Sequence, residues 1–333
     1  MPAKLQRAWV LVSSLALLQC GREDIEPRPA DTPAQLSAPA PSEPQPVSAA
    51  VQAPPEQPAQ TGVTLPTEPP PPERGCGKVD FLFVIDNSFS MRDEQANLAR
   101  SFPGFIRVVQ QVLEAEDFHI MVVSTGGRRE DEAAPSLDPE ACAGVQGAGK
   151  RRGAGGEDCD LPAGSAYMVS DQSDLEATFD CVARVGVGGS IFEEPMDAML
   201  AATSEALNAD GRCNAGFLRE DAVLVVTVIT DAEDRYSAGD PELWTSSLRA
   251  RKADNDDALV VLGLVGDDNV EGGLLGGQCG LLDAAGAPRL QDFVRRSQGI
   301  LGSVCAPDYA PFFQTAVGSI DSACDDFVAP PIH

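Results

Sequence analysis

The sequence predicts an α/β fold in which helices flank a doubly wound, mostly parallel sheet. Apolar segments alternate with amphipathic segments over most of the chain beyond residue 79, and this alternation is typical of right-handed βαβ crossovers. The apolar segments are hydrophobic on both faces, as expected of strands buried between two helical layers. In such sheets ligands bind beyond the carboxyl ends of the strands, where the strand order reverses.

The predicted strands and helices follow directly from this alternation. Strands are predicted at 79–86, 118–125, 222–231, 258–267 and 299–305. Helices are predicted at 92–115, 174–185, 193–208, 241–254, 289–298 and 309–324. In the first helix, apolar residues recur at spacings of three and four, and Pro103 predicts a kink or a break.

The first 20 residues have the pattern of an export signal. Lys4 and Arg7 precede an apolar run at 8–18, which is too short to span a bilayer as a stable helix. The run ends at Cys20, and the sequence Leu-Leu-Gln-Cys is similar to a bacterial lipobox, although Gln19 departs from that pattern. The resemblance implies lipidation of Cys20 and a membrane anchor, and plain cleavage with secretion is the alternative.

A Pro-rich segment at 21–75 separates this signal from the rest of the chain. It lacks aromatic residues and holds more than half of the chain's 27 prolines, so it cannot bury a core and is predicted to be a disordered linker. The remaining residues, 76–333, are predicted to form one domain. Two glycine-rich insertions interrupt its regular alternation, near 126–164 and near 268–288.

The formal net charge of −27 excludes some classes of partner. Such a chain repels the phosphate backbone, so nucleic acid is not expected to bind. The acidity suits metal cations or basic surfaces as partners. The alternative is that it only maintains solubility.

The cysteine and histidine content bears on compartment and chemistry. With Cys20 set aside, eight cysteines remain, an even number that four disulfides in an oxidising compartment would use. The absence of a CxxC pair disfavours a thiolate zinc site. The only histidines are His119, inside a predicted strand, and His333, so neither a Ser-His-Asp nor a Cys-His arrangement is readily assembled, and no enzyme activity is expected.

Oxygen-bearing side chains gather at the predicted strand ends. Asp86, Ser88 and Ser90 directly follow the first strand, Ser190 lies on a glycine-rich loop before a helix, and Asp231 ends a third buried strand. In this order and spacing, the chain from 79 to about 327 resembles the von Willebrand factor type A (vWA) domain. That family has a metal-ion-dependent adhesion site (MIDAS), which combines D-x-S-x-S, a threonine loop and a strand-end aspartate.

The resemblance implies a metal site and a mode of binding. Ser88 and Ser90 would ligate a divalent ion directly, with Asp86 and Asp231 acting directly or through water, and Ser190 standing in for the family's threonine. The expected ion is Mg²⁺, with Mn²⁺ or Ca²⁺ possible, since hard cations prefer oxygen ligands. A protein partner would complete the coordination shell with a Glu or Asp. Phe89 occupies the place where the family usually has glycine.

Other acidic residues receive a simpler interpretation. Glu193 and Glu194 are expected to complement a helix N-terminus, with Pro195 in its first turn. A supporting role for the two glutamates near the ion is the alternative. Glu233 and Asp234 are expected to be solvated, and a peripheral cation site is the alternative.

Fold logic also predicts a disulfide pairing. Cys76 and Cys324 would join the start and the end of the domain, and Cys142 with Cys159 would close the first insertion. Cys279 with Cys305 would tie the second insertion to the last strand, which leaves Cys181 with Cys213.

The sequence therefore favours an exported, lipid-anchored protein of the bacterial cell envelope, facing the periplasm or the cell surface, that binds a protein through a divalent metal. Two alternatives remain at this point. One is a structural envelope protein that assembles without metal, and the other is a metal-assisted hydrolase.

Overall fold

The computed structural model describes residues 75–112, 117–127, 139–189, 191–267, 279 and 284–330. All of them belong to the unit Glu68–His333, and this unit alone is described. The predicted export signal, the lipidation site Cys20 and residues 21–74 of the predicted linker lie outside the described residues, and so does Ser190.

The described residues form a six-stranded sheet, and the predicted doubly wound, mostly parallel arrangement is confirmed. The strands are β1 (Lys78–Ile85), β2 (Asp117–Ser124), β3 (Met168–Val169), β4 (Val223–Thr230), β5 (Leu259–Val265) and β6 (Ile300–Ser303). Their spatial order is β3-β2-β1-β4-β5-β6. All neighbours run parallel except the short edge strand β3, which is antiparallel to β2 and was not predicted.

Helices connect the strands and cover both faces. They are α1 (Arg92–Val112), α2 (Pro139–Cys142), α3 (Leu175–Ala183), α4 (Pro195–Ala202), α5 (Glu205–Asn208), α6 (Pro241–Ala250), α7 (Pro288–Arg296) and α8 (Ala310–Asp326). Helix α1 continues through Pro103, so the helix does not break there, and the alternative of a kink stays a prediction. Asp174 and Asp240 cap α3 and α6 by accepting hydrogen bonds from backbone N–H groups of the first turn.

Successive residues of β1 point to opposite faces of the sheet and so enter two separate cores. Phe81, Phe83 and Ile85 join the apolar cluster that includes residues of α1, α3 and α8. Leu82 and Val84 join the cluster on the other face, with residues of α4, α6 and α7. Each such buried side chain contributes about 1.5–3 kcal/mol. Burial on both faces explains why β1 is apolar throughout.

Four disulfides link the described cysteines, and two of them were predicted. Cys76 joins Cys324, and Cys279 joins Cys305.

The other two predicted pairs, Cys142 with Cys159 and Cys181 with Cys213, are wrong. The structure joins Cys142 to Cys213 and Cys159 to Cys181. The described part of the first insertion does not close on itself, because it packs against its neighbours. Cys142 lies in a small apolar cluster with Leu207 near α5, whereas Cys159 contributes to the core beside α3. Each cysteine therefore meets a partner outside the insertion.

Within the described part of the chain, none of the helices is long and apolar enough to cross a membrane.

Candidate metal centre

The predicted site lies where the strand order reverses. β1 is flanked by β2 on one side and by β4 on the other, in parallel register with Ile85 opposite Ile229. Asp86 directly follows β1, and Asp231 directly follows β4. The two aspartates therefore leave neighbouring strands at the same carboxyl edge, which is the position where open α/β sheets bind ligands.

Asp86 is fully buried and held by hydrogen bonds to both of its carboxylate oxygens. The backbone N–H of Ser88 donates to Oδ1 at 2.7 Å, and Thr230 Oγ1 donates to Oδ2 at 2.6 Å. The backbone N–H of Asp86 itself donates to the carbonyl of Ile229 at 3.0 Å, which continues the pairing of β1 with β4. The carboxylate is thus fixed in position before any ligand arrives.

The two serine hydroxyls lie beside each other at the start of a short 3₁₀-helix, Phe89–Met91. Ser88 Oγ and Ser90 Oγ are 3.2 Å apart. Ser88 occupies the capping position, yet its side chain forms no capping hydrogen bond. The Ser90 hydroxyl acts to lower the pKa of Asp231, which places the end of β4 close to the first loop. The structure therefore brings together four of the five predicted metal ligands.

The fifth predicted ligand, Ser190, lies outside the described residues, and its role stays a prediction. The residues on either side of it are described. The N–H of Gly189 donates to the carbonyl of Asn87 at 2.9 Å, so the glycine-rich loop lies against the loop that carries Ser88. A Cβ atom at Gly189 would stand 2.0 Å from Asn87 Oδ1, and the close approach of the two loops requires glycine there.

A buried glutamate adds a third carboxylate. Glu193 is 3% exposed, and Thr125 Oγ1 donates to its Oε2. Its other oxygen, Oε1, is buried and has no hydrogen-bond partner among the described residues, and the same is true of Glu94 Oε2. Unpaired buried polar atoms are rare in folded proteins. Their presence beside the predicted site indicates that the neighbourhood is built for a further polar or charged group.

Burial and mutual repulsion raise the pKa values of these acids. Burial raises the pKa of Asp86 above its ordinary value, and burial together with the nearby Asp86 does the same for Asp231. The pKa of Glu193 rises to about 7 through burial and the charges of Asp86 and Asp231. Burial, with Asp93 and Asp231 adding to it, raises that of Glu94 to about 8. For Asp231, Glu193 and Glu94, acidic neighbours add to the effect of burial, so a bound cation would relieve the repulsion among these groups.

The donor set fits a hard divalent cation. The described residues contain no group of three or more His, Cys, Asp or Glu arranged to hold a metal ion. The present arrangement uses two carboxylates and two hydroxyls, and an all-oxygen set of this kind suits Mg²⁺, Mn²⁺ or Ca²⁺ better than it suits thiophilic metals. The unpaired oxygens of Glu193 and Glu94 agree with that fit.

Sequence reasoning missed three residues that position the site. Thr230 holds Asp86, Thr125 holds Glu193, and Gln95 donates through Nε2 to the carbonyls of Asp86 and Gly186 at 2.9 and 2.8 Å. The two threonines carry a usable signal, since Thr125 and Thr230 each stand at the carboxyl end of a predicted strand. The role of Gln95 depends on how α1 packs and leaves no signal in the sequence.

The expectation that Asp234 is solvated is wrong. Asp234 is fully buried, and its two carboxylate oxygens accept hydrogen bonds from the backbone N–H groups of Met196, Tyr236 and Ser237. It therefore holds the start of α4 and the loop after β4 together. Pro195 occupies the first turn of α4, as predicted.

The sheet and its acidic edge together define the class of protein. The first βα turn of this doubly wound sheet carries Asp-Asn-Ser-Phe-Ser instead of a glycine-rich dinucleotide fingerprint. Its switch point gathers carboxylates and hydroxyls, and the carboxylates would repel a pyrophosphate. This is a doubly wound α/β domain with a cluster of carboxylates and hydroxyls at the carboxyl edge of its sheet.

Comparisons with known proteins add the following. No protein-family model and no curated protein matches the chain. Among solved structures, proximal thread matrix protein 1 from the mussel byssus is similar at 14% identity with a TM-score of 0.38. The alignment covers 76% of this chain and 50% of the byssus protein. A structure of the same protein with a zinc-occupied MIDAS motif gives 16% identity, a TM-score of 0.35 and coverages of 75% and 46%. The chain thus spans about half the length of these structures.

Proposed function

We propose that this chain is an exported protein of the bacterial cell envelope whose vWA-like domain binds a protein partner through a divalent cation. One observation carries the proposal. Two buried aspartates from adjacent strands, Asp86 and Asp231, meet two serine hydroxyls at the switch point of the sheet, and burial raises the pKa of both carboxyl groups. Since uncompensated buried charge is unfavourable, such a cluster fits a cation-binding role.

Each residue has a defined part in this proposal. Ser88 and Ser90 offer hydroxyl oxygens, and Asp86 and Asp231 supply carboxylate charge, with Ser190 as the further hydroxyl on the second loop. Asp86 is already oriented by Thr230 and by the N–H of Ser88, so little rearrangement accompanies binding. The bound Mg²⁺, or Mn²⁺ or Ca²⁺ in its place, supplies positive charge that attracts a Glu or Asp carboxylate of the partner. These residues are assigned no catalytic step.

The proposed location follows from the cysteines and the N-terminal segment. Four disulfides in the described residues fit an oxidising compartment outside the cytoplasm. Lipidation of Cys20 would anchor the chain to a membrane, with residues 21–75 as a tether between lipid and domain. Partner binding would then take place in the periplasm or at the cell surface.

The test is thermal unfolding of the oxidised mature chain in EDTA and in Mg²⁺, Mn²⁺ or Ca²⁺. A ligand that binds only the folded state, present at 100 times its dissociation constant, adds about 2.7 kcal/mol. For a domain of this size that corresponds to a rise in Tm of a few degrees. We expect this rise in the wild type and its loss in Asp86→Asn. The matched control is Asp171→Asn, which removes the same charge at an exposed position and should keep the rise.

Two outcomes would contradict the proposal. The absence of a shift with all three ions would leave the cluster as a metal-free turn and would favour metal-independent assembly in the envelope. A shift that persists unchanged in Asp86→Asn would place the ion elsewhere on the acidic surface.

A further inference from the structure

Exposed apolar side chains gather around the metal centre. Among the described residues, five large hydrophobic side chains are exposed, namely Phe89 (76%), Ile191 (80%), Phe192 (55%), Tyr236 (48%) and Leu243 (52%). The first four lie on the loops that follow β1 and β4 or that lead into α4. Phe89 stands between the two serines that we propose as metal ligands. We call Phe89, Ile191, Phe192 and Tyr236 the apolar rim.

Contacts between the loops bring the apolar rim together. The hydrogen bond from Gly189 to Asn87 joins the loop that leads to Ile191 to the loop of Phe89. The rings of Phe192 and Tyr236 pack edge to face, with their centroids 4.9 Å apart. The N–H of Asp197 donates to Ser237 Oγ at 3.0 Å, which ties the start of α4 to the loop of Tyr236. The loops that carry the rim are thus held against one another, and Phe192 and Tyr236 are in direct contact.

The apolar rim contributes little to the stability of the fold. The hydrophobic effect scales with the apolar area removed from water, and these side chains keep about half or more of their surface exposed. Single exposed apolar residues are ordinary, whereas a cluster that borders a polar centre is typical of an interaction site. Aromatic residues around a polar centre are also the composition found in the energetically important parts of protein interfaces.

Positive charge lies at the same rim, although the whole chain carries a net charge of −27. The guanidinium of Arg92 stands 5.9 Å from the ring centroid of Phe89. Arg92 and Arg235 are both exposed, and Arg235 directly precedes Tyr236. Charge complementarity across an interface favours a partner of opposite sign. The arginines therefore favour an acidic group at the centre of the partner's surface.

We infer that the apolar rim docks a protein loop in which a Glu or Asp is flanked by apolar side chains. The partner's carboxylate would meet the metal centre while its neighbours pack against Phe89 and against the pair of Phe192 and Tyr236. This inference rests on the proposed function, because the carboxylate needs the bound ion. It adds that the partner carries apolar side chains on either side of that carboxylate.

The test uses a phage-displayed library of random heptapeptides with Glu fixed at the centre, selected on the immobilised full chain in Mg²⁺. We expect enrichment of aromatic and aliphatic residues next to the Glu. For the best peptide, the double variant Phe89→Ser/Phe192→Ser should weaken binding at least about tenfold, which corresponds to about 1.4 kcal/mol, because two aromatic contacts are lost. The matched control is Leu243→Ser, an exposed apolar residue outside the rim, and it should change affinity less than twofold.

The outcomes separate the inference from the function on which it rests. If no peptide binds in a manner that needs both Mg²⁺ and Asp86, the proposed function itself fails. If Glu-dependent, Mg²⁺-dependent peptides emerge without apolar neighbours, or bind the double variant as well as the wild type, only the rim proposal is overturned. A second copy of this chain could also occupy the rim, and sedimentation of the free chain tests this alternative. A dimer that dissociates in the double variant would make the rim a contact between two copies and would also overturn the proposal.

Discussion

Two buried aspartates at opposite ends of one strand have contrasting surroundings. Asp80 lies within β1 and Asp86 directly follows it, and the side chains of both are fully buried. Around Asp80, the backbone N–H and Nε of Arg219 each donate to the carboxylate at 2.8 Å. Lys252 contributes a further positive charge. Around Asp86, the donors are a neutral hydroxyl and one backbone N–H, and Asp231 and Glu193 lie nearby.

Burial raises the pKa of both aspartates, and the two sites differ in the groups that act to lower it. Burial raises the pKa of Asp80 to about 6, although Arg219 acts to lower it. Burial acts to lower the pKa of Arg219, but the nearby carboxylates of Asp80 and Asp117 raise it above the ordinary value. With these pKa shifts, Asp80 is mostly deprotonated and Arg219 is protonated at pH 7, so the two side chains form an ion pair. Burial also raises the pKa of Asp86, and the influences that lower it are hydrogen bonds from Thr230 and Ser88.

The comparison teaches how a structural acid differs from a binding acid in this fold. At the amino edge of the sheet, the protein supplies the compensating cation from its own sequence and the site is complete. At the carboxyl edge, several acids share a buried region, and in the proposed function the compensating charge is that of the bound cation. Burial alone therefore does not show whether an aspartate is structural or serves binding, and the charges of the neighbouring side chains distinguish the two roles.

The largest effect is expected when the compensation at the amino edge is removed. Arg219→Met leaves the carboxylate of Asp80 buried without its ion pair, and breaking a buried pair in this way typically costs 3–5 kcal/mol. The loss should appear as a lower midpoint in urea unfolding at pH 7 with an unchanged slope.

Lys78→Met is the matched control, since Lys78 forms an ion pair with Asp221 at 2.6 Å whose side chains are 37% and 20% exposed. A partly exposed pair of this kind contributes up to about 1 kcal/mol. Equal losses in the two variants would show that Asp80 and Arg219 are no more coupled than a surface pair.

A smaller effect is expected from the titration of Asp80. Its folded pKa of about 6 lies above its ordinary value of 3.8, so the folded chain takes up the proton first as the pH falls. Its contribution to the free energy of unfolding therefore grows from pH 7 to pH 5 and is lost as the pH rises through 6. Asp80→Asn cannot titrate. The stability difference, wild type minus Asp80→Asn, should increase by on the order of 1 kcal/mol between pH 7 and pH 5.

Subtracting the variant removes the contribution of the other acids, which titrate in both proteins. The measurement is urea unfolding of both proteins at the two pH values in metal-free buffer. A difference that stays constant, or that shrinks toward pH 5, would show that Arg219 keeps the folded pKa of Asp80 at or below its ordinary value.

The fold was largely predictable because hydrophobic patterns report burial directly. The five predicted strands all occur, and continuous apolar runs such as 222–231 correspond to strands buried on both faces. The strand β3 was missed, because two residues carry no periodicity. The pairs Cys142–Cys213 and Cys159–Cys181 depend on how the first insertion packs, and the cysteine positions do not encode that packing.

The site was predictable to the extent that its residues follow strands. Asp86, Ser88, Ser90 and Asp231 were identified from their positions after predicted strands together with the resemblance to the MIDAS pattern. Residues that act from a distance along the chain were not identified. Gln95 reaches the site from α1, and the environment of Asp80 depends on Arg219, which is remote in sequence and meets β1 only in the folded chain.

The smallest effect is expected from Asp86→Asn in metal-free buffer. The amide oxygen can accept from the N–H of Ser88 as Oδ1 does now. The amide NH₂ can donate to Thr230 Oγ1, whose hydroxyl proton can turn to the carbonyl of Ala232, 3.3 Å away. The substitution also removes one charge from a group of repelling acids. We therefore expect the free energy of unfolding in EDTA to change by less than about 1 kcal/mol, as measured by urea unfolding.

This result would complete the contrast with Arg219→Met. If Asp86 serves binding, its charge is dispensable for folding without metal and is needed only for the response to the ion. A loss of 3 kcal/mol or more for Asp86→Asn in EDTA would mean that the carboxylate stabilises the turn after β1 through Ser88 and Thr230. Asp86 would then be structural, as Asp80 is, and the two ends of the strand would differ in their partners but not in their role.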